Sequence, residues 1–341
     1  MTLNITSDII ALFMKKLILR GFVMFKIFSF TFSSMLVIFT YIVVGYILNK
    51  KKIVPESTSR TLSRLENYVF LPALVINTFS SRCTPQSLKE NYSFLLYSAL
   101  ALCCAIIITF LISRFFAKKG TYEINIYKYS LTVANFGFVG NALIPLLFPD
   151  NASEMLYQYM FFNIPLQIIV YTWGISILIP KSEEKKSPFA NLNNPIAYSI
   201  LIGIILGITG ATKYVPEFIM KALSTLASCM SPVAMVLTGF VIGGYSLKEL
   251  FSKKKVYVAT ILRLVIIPAV LVAILYFAGA PKHILTLALF AYATPMGMNT
   301  IVFPAAYGGE TKTGASMLMI SSLMCLISIP IIYSLFSIIV K

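Results

Sequence analysis

The sequence predicts an all-α membrane protein of about ten transmembrane helices, arranged as two inverted repeats of five helices each. Three observations lead to this prediction. Of the 341 residues, 58% are apolar and only 12% are charged, whereas soluble domains carry about 25% charged residues. The apolar residues gather into stretches of the roughly 20 residues that a helix needs to cross a bilayer. Prolines and glycines recur at matching places in the two halves of the chain.

The predicted spans are separated by short polar connections. They cover residues 27–49, 62–80, 92–116, 127–148, 155–179, 195–211, 217–243, 256–278, 284–306 and 314–339. The most polar connection, 180–194, is predicted to be a cytoplasmic linker between a first repeat at 27–179 and a second repeat at 195–341. Lys and Arg number 17 in or beside the connections after odd-numbered spans and 4 after even-numbered spans. Because cytoplasmic loops are enriched in Lys and Arg, the connections after odd-numbered spans are predicted to be cytoplasmic, and both termini are predicted to lie on the outer side of the cell membrane.

Residues 1–26 form an N-terminal extension that does not fit this pattern. Lys15, Lys16 and Arg20 interrupt its apolar residues, which makes it a poor span, and it has no small-residue cleavage site. Two interpretations remain open. The extension is either an amphipathic helix in the membrane interface or a segment that precedes a translation start at Met24.

The formal charge of +16 does not indicate a nucleic-acid partner. The basic residues lie in short runs between apolar stretches, such as 50–52 and 253–255, as they do in topology-setting membrane loops. The five cysteines form no CxxC pair and the chain has one histidine. Neither a metal site nor a cofactor is predicted.

Helix-breaking residues occur in matched pairs about 160 residues apart. The pairs are Pro72 with Pro232, 135–145 with 294–304, and Pro165 with Pro330. A proline removes a backbone hydrogen bond, so these positions are interpreted as breaks whose freed groups face protein or a water-filled cavity. Because each half has five spans, the halves insert with opposite orientation. This is the plan of secondary transporters, whose substrate site lies where broken helices meet near the membrane midplane.

The fourth and ninth spans are therefore predicted to be broken, to cross and to bind the substrate. The candidate site residues are Asn135, Gly137, Gly140, Asn141, Pro145, Thr294, Pro295, Gly297, Asn299 and Thr300. Gly137 and Gly140 would leave room for a crossing backbone, and Pro145 would free the carbonyl of Asn141. A half-helix that begins after Pro295 would present unpaired N–H groups and a positive dipole end, which suits a carboxylate. For each asparagine, interhelical hydrogen bonding is the alternative.

Arg263 and Glu66 are charged residues within the predicted spans. Arg263 lies about two turns from the cytoplasmic end of the eighth span, so we expect it to snorkel to the surface rather than to bind substrate. Glu66 is expected at the cytoplasmic interface, paired with Arg64 or a lysine. No span holds a central carboxylate, which weakens a proton relay, and proton coupling, sodium coupling and uniport all stay open.

Four motifs occur in an order and spacing that are found in one transporter family. They are 45–48 with 62–74, Asn135-Phe136-Gly137-Phe138-Val139-Gly140-Asn141 with Pro145, Asn194-Pro195, and Thr294-Pro295-Met296-Gly297-Met298-Asn299-Thr300 with 307–310. On these motifs the chain, from about residue 24 to its end, resembles the auxin efflux carrier family. That family includes plant auxin exporters and prokaryotic permeases for malate and malonate, and the short linker is similar to that of the prokaryotic branch.

The resemblance implies a secondary transporter that moves a small organic anion, a carboxylate, across the cell membrane by alternating access, with efflux as the direction. Its partners would be this anion and membrane lipid, and a homodimer is compatible with the sequence. The alternative function is an anion channel or uniport pore. An intramembrane enzyme is disfavoured because the chain has no HExxH or GxSxG motif and no Asp within a predicted span.

Overall fold

The computed structural model describes residues 2–178, 194–306 and 309–340. Apart from one isolated backbone bridge, every regular element in these ranges is helical, which confirms the predicted all-α class. The helices of eight or more residues are α1 (Thr2–Lys50), α2 (58–82), α3 (Pro85–Ser113), α4 (Tyr122–Thr132), α5 (Phe136–Leu147), α6 (Ala152–Phe162), α7 (Ile164–Leu178), α8 (Pro195–Thr209), α9 (Glu217–Gly243), α10 (Lys254–Phe277), α11 (Lys282–Ala293), α12 (Asn299–Ala306) and α13 (Lys312–Ile339). The predicted linker, apart from Asn194, lies outside the described residues, as do Tyr307 and Gly308 of the last motif.

Several of these helices are long and apolar enough to cross a membrane. Among the described residues five helices meet this condition, and a sixth does if α6 and α7, which are bent by 47°, count as one span. The helices α5, α8 and α11 are apolar but shorter. The chain is therefore a multi-pass membrane protein, and the ten-span inverted repeat stays a prediction.

The first helix is much longer than a membrane span. With 49 residues it extends about 73 Å at 1.5 Å per residue, whereas the bilayer core is about 30 Å thick. It passes residue 26 without interruption. The predicted end of the N-terminal extension therefore falls inside a helix.

A first helix group consists of α1, α2, α8 and α9. Within it α1 packs along α9, and α8 packs along α2. A Cβ atom on Gly45 would lie 1.9 Å from the Val236 carbonyl oxygen, and one on Gly239 would lie 1.8 Å from that of Ile42. These glycines bring the backbones of α1 and α9 into direct contact, as small residues do between membrane helices.

A second helix group consists of α3 to α7 and α10 to α13. The helix α13 packs against α4 and α10 of this group and also against α1, and α3 packs against α4, α6, α7 and α10. Two interruptions lie inside this group, at 133–135 between α4 and α5 and at 294–298 between α11 and α12. We call these two segments the crossing, because they contact each other.

The matched prolines do not all interrupt helices. Pro232 and Pro330 lie inside the unbroken α9 and α13, and Pro72 follows the π-helical turn Glu66–Phe70 within α2. Pro165 alone of these lies at a bend, just after α6 ends. The interpretation of Pro72, Pro232 and Pro330 as breaks is therefore wrong. One missing hydrogen bond does not end a long helix when its other turns remain bonded and packed.

Candidate functional site

The two interrupted helices meet at their interruptions. The Asn135 N–H donates to the Pro295 carbonyl oxygen at 2.7 Å, and Ala134 and Met296 form an antiparallel bridge. The Met296 N–H in turn donates to Ser321 Oγ of α13 at 3.0 Å. Backbone groups inside a membrane need such partners, so each interrupted segment stabilises the other.

The break in the fourth predicted span lies earlier than the sequence predicts. The backbone becomes extended at Val133, with φ −111° and ψ 119°, where it begins to pair with the segment 294–298. Pro145 lies inside α5, close to its C-terminal end, and Asn141 lies in the middle of α5. The predicted break beside Asn141 and Pro145 is therefore wrong, because pairing with the other segment, and not the proline, ends the helix.

The two predicted glycines of α5 make room for a side chain and for a cavity, and not for a crossing backbone. A Cβ atom on Gly140 would lie 1.9 Å from the hydroxyl oxygen of Tyr159, and that hydroxyl donates to the Phe136 carbonyl oxygen at 3.2 Å. A Cβ atom on Gly137 would meet no atom of the described residues within 4 Å. Gly297 is the predicted glycine that faces backbone, since its Cβ position is 3.6 Å from the Ala134 oxygen.

A cavity of about 40 Å³ lies between the two helix groups, beside the crossing. It is lined by Leu71, Val75, Phe79, Phe136, Gly137, Asn141, Met160, Asn163, Ile164, Gln167, Ile196 and Ile200. One water molecule needs about 10–15 Å³, so the space suits two or three waters or a group as small as a carboxylate. Apolar walls with a few converging polar groups, here the amides of Asn141, Asn163 and Gln167, are typical of small-molecule sites.

Two of these amides are absent from the predicted site. Asn163 and Gln167 lie four residues apart, on either side of Pro165. The Asn163 Nδ2 donates to the Tyr159 carbonyl oxygen at 2.8 Å, whereas its Oδ1 is buried without a partner among the described residues. The sequence contains a signal for them, because residues four apart share one face of a helix and Pro165 is one of the predicted breaks.

Asn299 forms a hydrogen bond between helices, which is one of the two roles that the sequence leaves open for it. Its Nδ2 donates to the Tyr129 hydroxyl of α4 at 2.8 Å, and the Tyr129 ring stacks on Trp173 of α7. The neighbouring Thr300 hydroxyl donates to the Gly297 carbonyl oxygen at 3.0 Å. Asn299 and Thr300 therefore hold the start of α12 in place.

The remaining predicted residues divide between the two sides of the crossing. Gly137 and Asn141 line the cavity described above, whereas Pro295 lines a second cavity of about 10 Å³ that faces α1. Asn135 Nδ2 and Thr294 Oγ1 are buried, and neither has a hydrogen-bond partner among the described residues.

Within the described ranges, no group of three His, Cys, Asp or Glu side chains is placed to hold a metal ion.

Two charged residues of the predicted spans, Arg263 and Glu66, are enclosed by protein. Arg263 Nη1 donates to the Leu131 carbonyl oxygen at 3.4 Å, and its guanidinium carbon lies 5.5 Å from the centre of the Tyr292 ring. The prediction that Arg263 snorkels to the surface is wrong, because its side chain packs inward against α4 and α11. Glu66 is also fully buried, and neither carboxylate oxygen has a hydrogen-bond partner in the described part of the chain. The expected pairing of Glu66 with Arg64 is therefore not observed.

The chain is similar to known transport proteins along most of its length. The family described as "Membrane transport protein" matches residues 30–333. The uncharacterized transporter MJ1031 of Methanocaldococcus jannaschii is 24% identical over 302 residues, which cover 86% of this chain and 95% of that protein. The uncharacterized transporter YfdV of Escherichia coli K12 is 20% identical over 310 residues, which cover 89% of this chain and 96% of that protein. The chain therefore belongs to the membrane transport protein family, and its predicted resemblance to the auxin efflux carriers is confirmed.

Proposed function

We propose that the protein is a secondary transporter that moves a small organic carboxylate across the cell membrane by alternating access. The observation that carries this proposal is the crossing, where two interrupted helices pair through their backbones beside a cavity that contains three amides. Interrupted helices that meet inside a membrane protein are the usual place of a transporter's substrate site. The proposed ligand follows from the polarity of the groups that meet there.

The groups around the cavity favour an anionic ligand, although none of them is a positively charged side chain. The helices α5 and α12 both begin at the crossing, and the N-terminal end of a helix carries a positive dipole end. Of the two, α5 reaches the cavity, through Phe136 and Gly137. Asn135, at the start of α5, adds a buried amide nitrogen without a partner among the described residues. Among the described residues, no Lys or Arg lines the cavity. A carboxylate would therefore be held by amides and by the start of α5, which are neutral groups that can release it again in each cycle.

The place of the cavity supports alternating access. Its walls come from α2 and α8 of the first helix group and from α5, α6 and α7 of the second. A movement of one group relative to the other would open the cavity to one side of the membrane and then to the other. Export of an anion would be driven by the inside-negative potential, which is worth about 2.3 kcal/mol per charge per 100 mV.

The proposal is tested by transport into proteoliposomes that contain the purified full-length protein. Radiolabelled pyruvate and malonate serve as probes, and the expected result is saturable uptake that is accelerated by unlabelled substrate inside the vesicles. Asn141→Ala should reduce this counterflow. A flux that rises linearly with concentration and shows no counterflow would indicate a channel. Absence of flux and of binding for every carboxylate tried would refute the proposed substrate class.

A further inference from the structure

Arg263 is a buried positive charge for which the described residues supply no carboxylate. It lies in a π-helical turn of α10, Leu262–Ile266, and its side chain has no exposed surface. None of the three ion pairs found among the described residues includes it, and its Nε and Nη2 are buried without a hydrogen-bond partner there. An uncompensated buried charge is costly, so its neutralisation must come from other groups.

Two of the groups near Arg263 belong to the last turns of half-helices. Leu131, whose carbonyl oxygen accepts from Nη1, is the second-last residue of α4, which ends at Thr132. Tyr292, whose ring lies against the guanidinium, is the second-last residue of α11, which ends at Ala293. The last carbonyl groups of a helix have no partner within it and form a negative dipole end. Arg263 therefore contacts a carbonyl at the negative end of α4 and lies beside the last turn of α11.

Four half-helix ends meet at the crossing, and their charges cancel. The C-terminal ends of α4 and α11 each carry about −0.5 elementary charge, and the N-terminal ends of α5 and α12 each carry about +0.5. Arg263 adds one positive charge, and it is placed against the two negative ends. With Arg263 in place, the crossing as a whole carries about one positive charge while its substrate site is empty.

We propose that Arg263 is the positioning residue that makes the substrate site selective for a negatively charged ligand: it neutralises the C-terminal ends of α4 and α11, so that the positive ends of α5 and α12 remain for one substrate carboxylate. Arg263 lines neither cavity, so it acts through the two half-helices and does not contact the ligand. This inference rests on the proposed carboxylate transport and deepens it. It also gives a reason for a charged side chain that sequence analysis placed at the lipid interface.

The test compares each carboxylate with its uncharged amide, because the two differ in charge while they are similar in size. Binding of pyruvate, pyruvamide, malonate and malonamide to purified full-length protein is measured by titration calorimetry. Arg263→Gln should weaken carboxylate binding about tenfold or more, since a unit charge acts over several ångströms in a low dielectric. The same variant should leave amide binding unchanged. Arg263→Lys, which keeps the charge, should bind both carboxylates within about threefold of the wild-type protein.

A matched control is Lys128→Gln. This variant also removes one positive charge, but it does so on α4 and at a partly exposed side chain. The Lys128 ammonium lies 4.7 Å from the Phe110 ring centre. This variant should bind carboxylates like the wild-type protein. Carboxylate binding by Arg263→Gln equal to that of the wild type would overturn the role of Arg263 and leave the proposed function standing.

The remaining outcomes are also decisive. A loss in Arg263→Lys as large as that in Arg263→Gln would overturn the proposal, because it would show that guanidinium shape matters and charge does not. If Arg263→Gln does not fold, Arg263→Lys alone tests the proposal. The ratio of its carboxylate affinity to its amide affinity must then stay within about threefold of the wild-type ratio. Failure of the wild-type protein to bind either carboxylate would overturn the proposed function and this inference together.

Discussion

Gly140→Ala should separate the packing of the crossing from the binding of substrate. The new Cβ atom would lie 1.9 Å from the Tyr159 hydroxyl oxygen and 2.7 Å from Cζ of the same ring. Tyr159 is fully buried, so its ring has little space to move away. The hydroxyl would therefore have to leave the Phe136 carbonyl oxygen, to which it donates at 3.2 Å.

The expected cost follows from these contacts. Overpacking of a buried site costs about 1–3 kcal/mol, and loss of the hydrogen bond adds about 1 kcal/mol. Alanine regains up to about 1 kcal/mol over glycine through its helix propensity. Gly140→Ala should therefore reduce the free energy of unfolding by about 1–3 kcal/mol, and Tyr159→Phe in the same chain should recover part of it because the closest contact disappears.

Gly137→Ala is the matched control, because it makes the same chemical change three residues earlier in α5. Its Cβ atom would meet no neighbour within 4 Å in the part of the chain that the structure describes, so thermal stability should be unchanged or slightly raised. Since Gly137 lines the cavity, the added methyl group should instead weaken pyruvate binding. Thermal unfolding in detergent and titration calorimetry measure the two effects. Equal stability of the two variants would refute the assigned packing, and wild-type binding by Gly137→Ala would exclude this cavity from the substrate site.

Three further predictions concern the cavity, a buried carboxylate and the topology. Asn141→Ala and Gln167→Ala should each weaken carboxylate binding about 10- to 150-fold, the effect of about 1.5–3 kcal/mol for one hydrogen bond to a charged group; calorimetry that finds both unchanged would contradict the site. Glu66→Gln should keep or raise thermal stability at pH 8, because the carboxylate is buried without a partner in the described part of the chain and a charge there is uncompensated. A clear loss of stability in Glu66→Gln would show that the carboxylate has a partner. Single cysteines at Lys254 and Asp150, in a background without the five native cysteines, should be labelled from opposite sides of the membrane, and labelling from the same side would contradict the ten-span topology.

The sequence predicts the helical class and the family well, because both depend on composition and on the order of motifs. It predicts the break in the ninth span for a local reason. Thr294 precedes Pro295, and a residue before proline avoids helical backbone angles; Thr294 is indeed extended, with ψ 156°. A local cause of this kind can be recognised without knowledge of the rest of the molecule.

The break in the fourth span has no such local cause. Val133 becomes extended where Ala134 pairs with Met296 and Asn135 donates to Pro295, which are contacts across more than 150 residues of sequence. The nearest proline in the chain, Pro145, lies ten residues beyond Asn135 and leaves α5 helical. The break was therefore assigned to the wrong residue, because only tertiary pairing shows where this helix ends.

The burial of the two charged side chains could not be predicted from helical periodicity for a related reason. Glu66 is the first residue of the π-helical turn Glu66–Phe70, and Arg263 is the second residue of the π-helical turn Leu262–Ile266. A π-helical turn holds more residues than an α-helical one, so it changes which face of the helix the residues on its two sides occupy. The sequence predictions place Arg263 and Glu66 by their distance from the end of a span, which does not show which face of the helix each side chain occupies. Because π-helical turns in α-helices frequently occur at functional sites, the two turns that carry buried charges are the first positions where substitution should separate function from folding.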